Sequence, residues 1–203
     1  MAKRVYISAD YSFDSGDRNV FAVLNQWGTD NLHKVDFIDM AKVVSGSISN
    51  DPDCRPCDLK QEFNQQINAS SAVIFVVGDM TAYRKAGSSC SRATEERLNC
   101  SCTPYKHNAS GSKMCKVFQT FSREEDSDVG NINSFSYLHH EFEQAKKRKK
   151  PIIVVYNSLR KETSWLPSYM KDYESDAQPF WIKNYLGEKV GNYTYIKRVL
   201  GYA

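Results

Sequence analysis

Glu141 is the acidic residue whose position in the sequence most favours chemistry. It lies in a segment where Leu138, Phe142 and Ala145 recur at helical spacing and predict a buried stripe. At about 100° per residue, Glu141 falls roughly 60° from Leu138, on the flank of that stripe, whereas Glu143 falls near the opposite face. A carboxylate turned into the protein costs desolvation free energy unless it has a partner or a chemical task. Glu141 is therefore a candidate functional residue.

Polar residues also follow the predicted strands, at the edge where an open parallel sheet binds its ligands. Ser8, Asp10 and Tyr11 follow the first strand, Asp39 the second and Asp79 the third. A helix beginning after Tyr11 would present its N-terminus to a polar ligand held at Asp10. The simpler interpretation is that these residues are turn and helix-capping residues, because Asp and Ser are common in both roles. We interpret the five as a candidate ligand-binding set.

An alternation of β-branched runs and helical patterns positions these candidates. The runs predict strands over residues 4–8, 35–38, 72–77 and 151–156, with a weaker strand near 179–182. The third and fourth runs are almost entirely apolar, as is typical of strands buried on both faces of a parallel sheet. The order predicts an α/β fold with an open, flavodoxin-like parallel sheet of about five strands and helices on both faces.

Four apolar stripes at helical spacing predict the helices, and they comprise Val20, Leu24 and Trp27; Leu59, Phe63 and Ile67; Leu138, Phe142 and Ala145; and Tyr195, Ile196 and Val199. In front of the second stripe, Asp58 and Gln61 resemble a capping box. Before the third stripe, residues 84–133 contain few apolar residues and no periodicity. Because this insert is longer than an ordinary loop, we interpret it as a lid, a subunit contact or a flexible excursion.

Length and charge bound the class of protein. The chain has 203 residues, 41% of them hydrophobic, which is enough for one sizeable core and predicts a single domain over residues 1–203. The formal charge of +3 is too small to favour a nucleic-acid partner. No apolar run approaches the roughly 20 residues of a membrane helix, and the first residues carry no signal-peptide core. We therefore expect a cytoplasmic protein without a membrane partner.

The cysteines leave two alternatives to free thiols open. In a reducing cytosol all six are expected to be free thiols, at positions 54, 57, 90, 100, 102 and 115. One alternative is a structural zinc site built from Cys54 and Cys57 with some of Cys100, Cys102, Cys115 and His107. Because these spacings match no common zinc module, the sequence predicts no metal site. Disulfides are a further alternative.

Three segments of the chain resemble TIR-like domains. Residues 3–11 are similar to the opening strand of that family, an apolar run that ends in Ile-Ser and is followed by polar residues. Residues 59–78 resemble its next segment, in which a helix, a serine and an apolar strand follow one another. Residues 137–155 resemble its glutamate helix and fourth strand. The chain most resembles the stand-alone bacterial TIR-like proteins of the Thoeris antiphage system.

The resemblance implies an enzyme that cleaves the nicotinamide–ribose bond of NAD and forms an ADP-ribose-derived signal, which is hydrolysed, cyclised or conjugated. Glu141 maps onto the catalytic glutamate of the family, and Ser8, Asp10 and Tyr11 map onto the mouth of its nucleotide pocket. The loop after Asp39 corresponds to a mobile loop that covers the substrate. NAD is then a substrate and no cofactor is expected. Self-association and a separate effector protein that receives the product are the expected partners.

The loop after Asp39 departs from the family because it carries Cys54 and Cys57, and a second departure keeps other functions open. The family usually has a tryptophan shortly before the glutamate, whereas this chain has Tyr137 and the insert. That difference favours a non-catalytic TIR-like adaptor or receptor that works by assembly with a partner. Asp10, Asp39 and Asp79 at strand ends are also compatible with a phospho-receiver-like domain, which would need a hydroxyl after the fourth strand and a lysine after the fifth. Nucleoside-processing relatives with a similar glutamate are the remaining class.

Overall fold

The structure is a computed structural model, and it describes residues 3–10, 16–30, 33, 35–38, 55–84 and 134–201. The described residues fall into two compact units: unit 1 lies within 1–40, 69–84 and 145–203, and unit 2 within 41–68 and 85–144. Neither unit is one continuous stretch of chain. The predicted insert, from residue 85 onward, lies outside the described residues. The single domain over the whole chain stays a prediction.

Unit 1 is built on a parallel sheet, whose strands are β1 (Lys3–Ala9), β2 (Val35–Ile38), β3 (Ala72–Val77), β4 (Ile152–Tyr156) and β5 (Gln178–Pro179). Their order is β2-β1-β3-β4-β5, and every neighbouring pair is parallel. β5 contributes only a two-residue pairing, so the first four strands carry the sheet. The predicted α/β class with a parallel sheet is confirmed, and the strand order is compatible with a flavodoxin-like fold.

The central strands are excluded from water because their residues are apolar on both faces. All six residues of β3 are buried. Ile74 and Val76 belong to a core that also contains Leu24 and Ile196 from two helices of unit 1. The alternate residues of β3, such as Phe75, are equally buried. β-Branched residues favour this extended conformation, which explains why the apolar run predicted the strand so closely.

The two helices of unit 1 are α1 (Asp17–Thr29) and α4 (Tyr193–Val199). The predicted stripe of α1 is confirmed by the burial of all three of its members. In α4 the prediction is wrong for Val199, which is 41% exposed. The reason is that α4 ends there, and Leu200 takes the buried position in the following turn.

The predicted strand near 179–182 divides between two sheets. Pro179 ends β5, while β6 (Trp181–Lys183) pairs antiparallel with β7 (Lys189–Gly191) in a separate two-stranded ribbon. The parallel pairing stops there because β4 ends at Tyr156, the partner of Pro179, and the Phe180 N–H makes a last hydrogen bond of 2.8 Å to the carbonyl oxygen of Tyr156. A side chain at Gly191 would place its Cβ 2.7 Å from the Trp27 ring, so this close approach requires glycine.

Unit 2 contains most of two helices, α2 (Arg55–Ala69) and α3 (Tyr137–Lys147). Their predicted stripes are buried at Phe63, Ile67, Leu138 and Phe142, and Leu59 is half-buried. Among the residues that the structure describes, no helix combines the length and the apolar character needed to cross a membrane.

The predicted capping box in α2 is wrong. α2 begins at Arg55, so Asp58 lies inside the first turn and is buried rather than preceding the helix. Pro56 is the signal that should have placed the start earlier, because proline is favoured in the first turn, where its missing N–H costs nothing.

Candidate functional site

Glu141 lies in the second turn of α3 and is 1% exposed. The side chain of Glu143, two residues later on the same helix, is 43% exposed. The helical spacing therefore predicted correctly which of the two carboxylates is turned into the protein. Burying a carboxylate is costly in free energy, so the groups around Glu141 decide what it can do. Its catalytic role stays a prediction.

Lys60 of α2 is a buried, positively charged residue of unit 2. It is 1% exposed, and its Nζ donates a hydrogen bond of 2.9 Å to the carbonyl oxygen of Phe135, ahead of α3. Burial lowers the pKa of Lys60 to about 8, against the opposing attraction of Cys57 and Glu141. The ammonium and the Glu141 carboxylate thus interact electrostatically inside unit 2.

A histidine and three side-chain amides complete the polar contact between α2 and α3. The Nε2 atom of His140 lies 2.8 Å from Asn64 Oδ1 and 3.3 Å from the carbonyl oxygen of Lys60. Because both partners are acceptors, Nε2 carries the proton. One turn later, Gln144 Nε2 donates to Asn68 Oδ1 over 2.9 Å. α2 and α3 are therefore held together in part by directional polar contacts, which fix their register.

The two adjacent histidines have separate surroundings, as the helical geometry predicts. His139 stacks on Phe135 with ring centroids 4.0 Å apart, whereas His140 contacts Asn64. Among the described residues there is no group of three or more side chains able to hold a metal ion. Cys57 is a buried free thiol, and the other five cysteines lie outside the described residues, so the zinc alternative stays open.

We expect Lys60 to make stability rise with pH above about pH 8. The unfolded chain holds the proton up to the ordinary lysine pKa of 10.5, whereas the folded protein loses it at about 8. Between these values the unfolded state binds more protons, so the free energy of unfolding increases with pH. Relative to that of Lys60→Met, the free energy of unfolding of the protein with Lys60 should increase by about 2–3 kcal/mol between pH 7 and pH 11.

Urea titrations at several pH values measure this difference. Both proteins should carry Cys57→Ala, so that no thiol next to Lys60 titrates in the same range. Both should also carry Glu141→Gln, because the carboxylate would otherwise titrate differently once Lys60 is replaced, and the other groups that titrate between pH 7 and pH 11 then cancel. A difference in unfolding free energy that stays constant from pH 7 to pH 11 would show that Lys60 has an ordinary pKa.

Of the candidate ligand-binding residues that the structure describes in unit 1, Asp10 and Asp79 follow β1 and β3, whereas Ser8 lies inside β1 rather than after it. Ser8 is fully buried within β1, and Asp10 follows that strand. Asp10 Oδ2 forms an ion pair of 2.8 Å with Arg84 Nε. Burial raises the pKa of Asp10, and the charge and hydrogen bond of Arg84 partly oppose that rise. The pair places a cation and a carboxylate at the sheet edge where ligands of α/β folds bind.

Asp79 follows β3 and is half-buried in a turn, in which the Gly78 N–H donates to Thr81 Oγ1 over 2.8 Å. This geometry favours the simpler interpretation of Asp79 as a turn residue. Tyr11 and Asp39, the other two candidates, lie outside the described residues. The structure therefore describes three candidates in unit 1 and the catalytic candidate, Glu141, in unit 2.

Sequence reasoning missed a buried carboxylate at the same edge of unit 1. Asp17, the first residue of α1, is buried, and its Oδ1 accepts a 2.5 Å hydrogen bond from Asn157 Nδ2. A Cβ atom at Gly78 would lie 2.7 Å from Asp17 Oδ1 and 2.8 Å from Asn157 Nδ2. Glycine is thus required where β3, β4 and α1 meet. The signal for Asp17 was an acidic residue at a helix start.

A cavity of about 300 Å³ in unit 1 contains none of these candidates. It is lined by β4, β5 and α4, with Ile152, Asp176, Tyr195 and Arg198 among its walls. Tyr195 donates its hydroxyl to the carbonyl oxygen of Asp176 over 2.8 Å. Comparison of the chain with family models, curated proteins and solved structures found no match.

Proposed function

We propose that this chain is a cytoplasmic, TIR-like enzyme that cleaves the nicotinamide–ribose bond of NAD, with Glu141 as its catalytic carboxylate. One observation carries the proposal: the Glu141 carboxylate is buried rather than solvated, and it interacts electrostatically with the buried ammonium of Lys60. Burial together with a specific charge partner is more frequent for catalytic carboxylates than for carboxylates on the surface. The parallel sheet with polar residues after β1 and β3 adds support, because it presents the edge at which such folds bind ligands.

The chemistry suits a single carboxylate. The nicotinamide ring of NAD is already cationic, so it accepts the electrons of the breaking C1′–N bond and leaves as a neutral molecule without a general acid. Positive charge then develops on the ribose as an oxocarbenium ion. A carboxylate beside that ion stabilises the transition state, and more so when water is excluded. Water or another hydroxyl then captures C1′ and releases a proton.

The proposal gives the residues of unit 1 a binding role. Arg84, already paired with Asp10, supplies a guanidinium suited to a diphosphate, and Asp10 supplies an acceptor for ribose hydroxyls. Ser8, Tyr11, Asp39 and Asp79 are proposed to complete this binding set. Because their contacts do not change between the ground state and the transition state, removing them should affect KM more than kcat.

Substrate access is part of the proposed cycle. At 1% exposure, Glu141 can contact a ribose only after local opening of the side chains around it. Local openings of this kind are common at active sites and limit the rate of many enzymes. We propose that self-association or an infection-derived trigger favours the open form. The product would be an ADP-ribose derivative, hydrolysed, cyclised or conjugated, that a separate effector protein binds in antiphage defence.

Nicotinamide release tests this function. Purified protein is incubated with NAD at several protein concentrations, with and without lysate from phage-infected cells, and nicotinamide is quantified by liquid chromatography. We expect release that depends on the added protein and increases with its concentration. NAD that stays intact under all of these conditions would contradict the assignment.

One observation favours the adaptor function as the second candidate. The turn between β6 and β7 exposes Tyr185 by 93% and Leu186 by 65%. Asn184 Oδ1 fixes this turn by accepting hydrogen bonds of 2.9 Å from the backbone N–H groups of Leu186 and Glu188. A rigid turn that holds two apolar side chains in water is typical of an interaction surface.

We expect the double substitution Tyr185→Ser and Leu186→Ser to weaken self-association by about tenfold or more, because it removes the two apolar anchors. Analytical ultracentrifugation over a range of concentrations measures this change. Tyr83→Ser is the matched control, since Tyr83 is also exposed, in a 3-10 turn after β3. Equal association of all three proteins would exclude this turn as an assembly surface.

A further inference from the structure

Lys60 is a fully buried lysine that the proposed chemistry does not yet use. Lysine is almost never fully buried unless its charge is balanced, because desolvation of an ammonium is costly. Its Nζ has a defined position, since it donates to the carbonyl oxygen of Phe135 over 2.9 Å. Phe135 immediately precedes α3, so this hydrogen bond connects the second turn of α2 to the start of the helix that carries Glu141.

Charged and titratable groups face Lys60 from both helices. From α3, Glu141 attracts the ammonium, and His139 lies close enough for Lys60 to contribute to the lowering of the His139 pKa, which burial dominates. From its own helix, Cys57 also attracts the ammonium. His140 lies beside the backbone of Lys60 but directs its Nε2 hydrogen to acceptors. Glu141 is thus the carboxylate of α3 whose charge acts on Lys60.

We infer that Lys60 is a positioning residue for Glu141, and that the reaction requires Lys60 in its charged form. The inference rests on the proposed function. A carboxylate in apolar surroundings takes up a proton unless a cation balances it, and a protonated Glu141 could not stabilise an oxocarbenium ion. In this role the Lys60 ammonium, held by its hydrogen bond to the Phe135 carbonyl oxygen, balances the charge of Glu141 and favours one orientation of its carboxylate, and Lys60 does not act on the reacting atoms directly.

This role predicts a pH dependence that a purely structural lysine would not produce. Lys60 loses its proton at about pH 8, so the balancing charge disappears as the pH rises through that value. Nicotinamide release should therefore have a basic limb with a midpoint near pH 8. Arginine stays charged throughout this range, so Lys60→Arg should retain activity and lose the basic limb.

The kinetic test compares pH profiles of kcat/KM for nicotinamide release. Lys60→Met should be about 100-fold less active at pH 7, because Glu141 loses its balancing charge and its orientation. Lys60→Arg should remain within about tenfold of the parent and show no limb near pH 8. Parent-like activity of Lys60→Met, or the same basic limb in the parent and in Lys60→Arg, would overturn the inference.

A second measurement needs no activity and separates the two proposals. In protein labelled with ¹³C at the lysine Cε, NMR follows the titration of Lys60, which we expect near pH 8. Glu141→Gln should lower that midpoint by roughly one pH unit, because the attraction of the carboxylate is lost. Glu143→Gln, the control, should leave it unchanged. An unchanged midpoint in Glu141→Gln overturns the inference even when NAD is cleaved. If Glu141→Gln lowers the Lys60 midpoint but the parent protein does not cleave NAD, the proposed function and the catalytic role of Lys60 and Glu141 are overturned.

Discussion

Replacing Glu141 with glutamine is expected to reduce nicotinamide release by about 10²–10³-fold while the protein stays folded. Glutamine has the same shape as glutamate but no negative charge. The substitution therefore removes the electrostatic stabilisation of the oxocarbenium ion without changing the volume buried in α3. Because the ground state of NAD makes little use of this charge, the loss should fall on kcat, with KM little changed.

Glu143→Gln is the matched control for this substitution. Glu143 lies on the same helix, but its side chain is 43% exposed, so removing its charge should leave nicotinamide release unchanged. Circular dichroism and thermal unfolding check that both variants are folded. A Glu141→Gln variant that releases nicotinamide at the parent rate would exclude Glu141 as the catalytic carboxylate.

Replacing Gly78 with alanine is expected to lower the free energy of unfolding by about 3 kcal/mol. The added Cβ would lie 2.7 Å from Asp17 Oδ1 and 2.8 Å from Asn157 Nδ2. Neither atom can retreat easily, because Asp17 is buried and the two side chains share a 2.5 Å hydrogen bond. The junction of β3, β4 and α1 must therefore shift or lose that bond. Urea denaturation measures the effect.

Gly187→Ala separates the steric effect from the effect of losing a glycine. A Cβ at Gly187 would meet no atom within 4 Å, so the expected cost of about 1 kcal/mol comes from its φ of 81° alone. If Gly78→Ala were no more destabilising than Gly187→Ala, the close packing at the end of β3 would be refuted.

The sequence predicted the sheet well because each central strand is a short apolar run with a polar break. The bounds predicted for β2 and β3 agree with the structure. The prediction was wrong where local signals compete, as at the strand near 179–182. There Pro179 ends the parallel ladder, and the following residues pair instead with β7. That partner follows after a short turn containing Asn184 and Gly187, which is a local hairpin signal that the prediction did not use.

The site was predictable to the extent that it depends on one helix. Helical spacing was enough to predict that Glu141 is turned inward, because the apolar stripe of α3 is regular. It could not reveal Lys60, since a lysine on a helix is normally solvated and its burial depends on the packing of α2 against α3. Asp17 was missed for the same reason, because Asn157, its partner, is 140 positions away. Long-range contacts decide which polar residues are buried.

The most direct test of the account is mass spectrometry of the small molecules formed from NAD labelled in its ribose. The protein and its Glu141→Gln variant are compared side by side, with lysate from phage-infected cells present in both reactions. The account predicts equimolar nicotinamide and a labelled ADP-ribose derivative with the parent protein, and intact NAD with the variant. Intact NAD in both reactions, or the same products in both, would contradict it.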